Sequence, residues 1–96
     1  MNAPPAAISR VERIRSELQR ALHTDAIELT DDSHRHAGHA GARDGRGHFR
    51  VRIVSAEFQG LRPLQRHQLV YRSLGELMQT DIHALSITAL TPGEAR

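Results

Sequence analysis

HFRVRIVS, residues 48–55, is the stretch on which the fold turns. Phe49, Val51 and Ile53 fall on one side of an extended chain, and Arg50 and Arg52 on the other. Strict alternation of this kind marks a strand with one buried face. His48 has the opposite parity to Phe49, so it is expected to face away from the core. Upstream, Ile27 and Leu29 alternate with Glu28 and Thr30, which predicts a short strand of the same kind. Between the two lie 17 residues, 31–47, DDSHRHAGHAGARDGRG, with four glycines. Hairpin loops usually run to about two to five residues, and long ones without structure tend to be functional or disordered. This connection is therefore unusual in length as well as in histidine content.

Further out, Ser9 and Glu12 form an S-x-x-E capping box, the signature of a helix start. Val11, Ile14, Leu18 and Leu22 follow at spacings of three and four and give that helix one apolar stripe, ending around His23–Asp25. Downstream, Phe58 and Gly60 are expected in a turn. Pro63 suits the first turn of a second helix, where its missing N–H costs nothing. Leu64, Val70, Leu74, Leu77 and Met78 supply that helix with a core face to about Thr80. His83 to Leu90 reads as a last strand, with His83, Leu85, Ile87 and Ala89 sharing the core-side parity. The predicted order is α-β-β-α-β, an α+β fold. Residues 1–8 are expected to be a disordered lead-in, residues 9–92 one domain and residues 93–96 a polar tail.

The 96 residues suffice for one small core and leave no room for a second domain of comparable size. The 13 basic residues are all arginine and face 11 acids, so the net charge is only +2. That balance permits contact with nucleic acid without demanding it. The absence of cysteine rules out a disulfide framework or thiolate site from these residues alone. No signal peptide or membrane-spanning run is evident, and a cytoplasmic location is expected. No Walker loop and no G-x-G-x-x-G occurs, and Ser33 beside His34 is a sequence neighbour without an orienting third group. The chain is expected not to be an enzyme and to take no small-molecule substrate.

Seven histidines remain to be explained. His34 and His36 lie two apart and would point the same way on an extended backbone; His39 can join them if the chain turns at Gly38. Such a cluster is either a solvated polar loop or a ligand set, and spacing alone leaves both open. His83 reads as a hydrogen-bonded structural residue or a ligand. His67 borders the apolar stripe of the second helix, where packing is the default role, and His23 suits a helix C-terminus.

Taken together, DDSHRHAGHAG, HFRVRIVSAEFQG, RHQLVY and IHALSITALTP resemble the BolA family, with the motifs in order from about Val11 to Pro92. The resemblance implies a class II KH-like fold, with a three-stranded sheet and helices packed on one face. It implies pairing with a monothiol glutaredoxin and a shared [2Fe–2S] cluster whose thiolates come from glutaredoxin and glutathione, in iron regulation or cluster delivery. The residue it places at the cluster is His83, from IHAL, with a loop histidine beside it. His36 matches best, while His39 and His34 remain open. Nitrogen ligation of this kind, as in Rieske centres, raises the cluster potential and makes the site acid-labile. The histidine loop is then expected to be mobile alone and ordered by the partner.

The resemblance also implies a second activity, transcriptional regulation of cell shape and stress response by DNA binding through the second helix and last strand. Arg66 and His67 of RHQLVY, with Arg62, Arg72, Arg50 and Arg52, are the candidate contacts. Aromatic residues for base stacking are few, since only Phe58 and Tyr71 lie outside the predicted core.

Overall fold

The structure, a computed structural model, describes residues 9–33 and 46–95. The expectations for residues 1–8 and for the histidine stretch from His34 to Gly45 lie outside the described residues.

Helix α1 spans Arg10–Leu22. Ser9 caps it as the sequence predicts, its Oγ accepting from the Glu12 N–H at 3.1 Å. The helix stops at His23, whose φ of 52° is left-handed. Strand β1, Ile27–Asp31, pairs antiparallel with β2, Gly47–Val54, Leu29 lying opposite Val51. Strand β3, Ile82–Leu90, runs parallel to β2, giving the order β1-β2-β3. A parallel pair needs a crossover. It is supplied by a 3-10 turn, Ala56–Phe58, and by helices α2, Pro63–Leu74, and α3, Leu77–Thr80.

Ile14, Leu18 and Leu22 of α1 and Val70 and Leu74 of α2 close over Phe49, Val51 and Ile53 of β2, all fully or nearly fully buried. Leu85, Ile87 and Ala89 of β3 pack against this core from the same side. The other face of the sheet carries Glu28, Thr30, Arg50, Arg52, Ser86 and Thr88 around a shallow depression. The sequence thus predicts the order of the main elements and the face they bury.

Three local expectations change. The second helix does not continue to Thr80. It breaks at Gly75, whose φ of 54° and ψ of −125° a side chain would strain, and α3 restarts as a separate turn. Leu64, expected in the core, sits in the first turn of α2 and is 69% exposed. Phe58 lies in a turn as expected but, left outside the predicted core, is fully buried. Burying such a side chain stabilises by about 1.5–3 kcal/mol. Ser55 holds the turn that carries it, donating to the Leu22 carbonyl at 2.7 Å and accepting from the Glu57 N–H at 3.1 Å.

Candidate ligand site at the head of the last strand

The register between β2 and β3 slips at one place. Gly47 lies opposite Ile82, but His48 lies opposite Ala84, so His83 is an extra residue on β3. A bulge of this kind re-aims a side chain. Ile82 goes into the core at 1% exposure, and His83 turns out to solvent. Alternation had placed His83 on the core side with Leu85 and Ile87; the bulge reverses that expectation, because the period of two does not hold across it. The exposed His83 ring lies against that of His48, with centroids 4.9 Å apart and planes at 51°. His48 is half-buried and its Nε2 is shut off from solvent. Arg46 Nη2 stands 3.4 Å from His83 Nδ1. A guanidinium only donates, so Nδ1 accepts, and in the neutral ring the proton then sits on Nε2.

The backbone around this pair is tied down on both strands. The Gly47 N–H donates to the Asp81 carbonyl at 2.8 Å. A Cβ on Gly47 would fall 2.5 Å from Ser33 Oγ and 2.8 Å from the Phe49 ring, so only glycine fits. Ser33 Oγ accepts from the His48 N–H at 3.1 Å, and the Asp32 N–H donates to the His48 carbonyl at 2.7 Å. Two residues before His83, the buried Asp81 carboxylate accepts from Arg10 Nε at 3.2 Å, from Arg13 and from Thr80 Oγ1 at 2.5 Å. Burial works against its charge, but the hydrogen bonds from Thr80, Arg13 and Arg10 outweigh it and hold the carboxyl below its usual range. Ser33 and Arg46, the described ends of the histidine connection, both touch this assembly. His34, His36 and His39 lie outside the described residues. Among the described residues, no three of His, Asp and Glu group as a metal site.

The candidate nucleic-acid contacts are divided. Arg50 and Arg52 lie on the open sheet face and face carboxylates, Arg50 with Asp32 at 2.6 Å and Arg52 with Glu28 at 3.6 Å. Arg62, Arg66, His67 and Arg72 belong to the α2 region, which covers the other face. Arg66 is turned inward to the Leu61 carbonyl at 2.9 Å, the Ala89 carbonyl at 3.0 Å and Glu94 at 2.6 Å. Glu94, read from the sequence as polar tail, is thus bound into the fold, its carboxyl pulled down to about 2 by Arg66 and the Thr91 N–H. Arg62 and Arg72 are exposed, and His67 is half-buried. A concavity of about 640 Å3 between α1 and the α2–α3 junction is lined by Arg13, Arg20 and Arg72 among others, with no histidine in its lining. His48 lines a smaller groove, about 290 Å3, with Asp32 and Ser86. Chemistry, more than size, directs attention to the imidazoles.

Sequence reasoning missed the roles of His48, Arg46 and Asp81. The outward parity of His48 was visible; its contact with His83 was not, because nothing in the residue pattern announces the bulge.

A three-stranded mixed sheet with helices on one face and an imidazole presented at the head of its last strand defines an α+β domain of a known kind. The family profile described as BolA-like protein matches residues 18–94, and the chain belongs to the BolA family. It is 44% identical over 96 residues to mouse BolA-like protein 1, covering 99% of this chain and 68% of that one. To Arabidopsis thaliana BOLA1, chloroplastic, it is 43% identical over 90 residues, 91% of this chain and 56% of the relative. It thus spans little more than half of that relative's length, and 24% of the chloroplastic/mitochondrial SufE-like protein 1 of the same plant. The structure of Arabidopsis BolA1 superposes with a TM-score of 0.78 at 42% identity, covering 92% of this chain and 97% of that chain. No described helix is long and apolar enough to cross a membrane.

Proposed function

We propose that this chain is an adaptor that pairs with a monothiol glutaredoxin and co-ligates a [2Fe–2S] cluster through His83, serving iron regulation or cluster delivery. The observation that carries the reading is the bulge, which takes a histidine out of a core-facing register and presents it to solvent on a rigid strand. The donor set fits a half-site: imidazole is available and thiolate is absent from these residues, so a partner and glutathione must supply the sulfur ligands. What this chain contributes is an exposed imidazole on a strand that Asp81 ties to α1. Arg46, 3.4 Å from Nδ1, must turn aside before that ring can ligate. A histidine from the connection at positions 36, 39 or 34 is the second donor in this reading. Since imidazole binds iron only when deprotonated, the shared cluster is lost on acidification.

The test is anaerobic mixing with a monothiol glutaredoxin, glutathione, iron and sulfide, followed by visible absorption and circular dichroism. The mixed complex should show a spectrum distinct from that of glutaredoxin alone, and His83→Ala should alter or weaken it. A colourless, unassociated mixture, or a spectrum indifferent to His83→Ala, would overturn the reading. The DNA-regulator reading has less support, because the arginines are split between two faces and Tyr71 is the one exposed aromatic among the described residues.

A further inference from the structure

We propose that His48 and His83 form a two-imidazole site that binds a single late first-row divalent ion, Cu2+ most strongly, in the chain by itself. The proposal deepens the reading above and rests on His83 being a nitrogen donor. Its own observation is different: the second imidazole is already beside the first, on β2, and needs no movement of the histidine connection. The ring centroids are 4.9 Å apart, and the planes are tilted by 51° instead of stacked flat. The outer torsion of a histidine side chain is broad, so rotation about it can bring one nitrogen of each ring toward a common point without moving the backbone. That backbone is held by sheet pairing and by the Ser33 and Asp32 hydrogen bonds to His48, which favours a preorganised site.

The surrounding donors select the ion. Asp32 lines the same groove as His48, but both its oxygens accept from Arg50, at 2.6 and 3.4 Å. The nearby carboxylate is therefore engaged, and the pair offers nitrogen alone once the exposed Arg46–His83 contact, at 3.4 Å, gives way to the ion. Imidazole suits copper, nickel and zinc, and affinity within that series peaks at Cu2+. His83 is exposed, so the remaining coordination positions open to water or to a partner's ligand. A Cu2+ ion held here and a cluster co-ligated by His83 exclude one another.

The experiment uses the full chain with His34, His36 and His39 all replaced by alanine, which removes the other imidazoles of the region. Cu2+ is titrated near pH 7.5 and followed by electron paramagnetic resonance with nitrogen hyperfine detection. One ion with two coordinated imidazoles is expected. His48→Ala, or the bulkier His48→Gln should the alanine variant fold poorly, should weaken binding by at least about tenfold and leave one coordinated imidazole, as should His83→Ala. Loss of binding in the triple-alanine chain overturns the proposal, as does wild-type affinity in both His48 variants. If His83→Ala alone weakens binding, the pair is refuted and the ligand role of His83 stands. If the copper pattern holds while no cluster forms with glutaredoxin, the pair stands and the adaptor reading falls.

Discussion

At its tail, β3 is clasped: Arg66 reaches across from α2 to the Ala89 carbonyl and the Glu94 carboxylate, and Glu94 in turn accepts from the Thr91 N–H at 2.9 Å. At its head the same strand is anchored mainly from behind. Asp81 takes Arg10 and Arg13 of α1, Ile82 fills the core, and His83 is left facing outward. One strand thus has an end whose polar groups turn into the fold and an end that presents an imidazole at the surface. The difference lies in a single inserted residue, which separates the duty of anchoring from the duty of presenting.

The sharpest way to break the comparison is to attack neighbours at the head. Ile82→Ala removes a buried side chain beside His83 and should cost about 2–5 kcal/mol in urea unfolding. Asp81→Asn removes the charge that Arg10 and Arg13 satisfy and should cost about 2 kcal/mol, within the range for hydrogen bonds to charged groups. The same variant should broaden the His83 ring signals in nuclear magnetic resonance, because the strand end is no longer fixed. At the tail, Glu94 has a folded pKa of about 2 against an ordinary value of 4.5. A depressed carboxyl contributes stability that is present above its unfolded pKa and is lost as pH falls through the folded value. Unfolding midpoints measured from pH 6 down to pH 2 should therefore decline in the wild-type chain, and less steeply in Glu94→Gln. The smallest effect should come from His83→Ala, which should change stability by no more than about 0.5 kcal/mol, as for a surface site, while removing the proposed ligand. Thermal collapse of that variant would mean that the head is built like the tail.

The legibility of these regions in the sequence follows the same division. Period-two alternation in Phe49-Val51-Ile53 and period-3.6 spacing in Ile14-Leu18-Leu22 report burial directly, so the sheet, the first helix and the core were readable. The break at Gly75 was not, because Leu77 and Met78 continue the apolar pattern of α2 beyond it. Leu64 shows the converse: an apolar residue in the first turn of a helix can satisfy the pattern while the helix end projects past the core. His83 was recognised through the family motif and not through its parity, which pointed inward. The bulge that resolves the conflict lies beside Gly47 and Ser33, residues that carry no apolar signal. The clasp of Arg66 on Glu94 joins residues 28 apart in sequence, and no local rule connects them.

The parallel pairing of β2 with β3 also sets a timetable. Arg46 and His83 are 37 residues apart, and β2 and the whole crossover lie between them. Contacts of such separation must meet the entropy of loop closure before they gain anything, and parallel pairings form late for that reason. During synthesis, α1, β1 and β2 emerge before the crossover, so His48 meets Ser33 and Asp32 well before the His83 ring has been made. A nascent or truncated chain can therefore display histidines, but it cannot assemble the pair. In the proposed reading, competence to bind is acquired only once β3 has paired with β2.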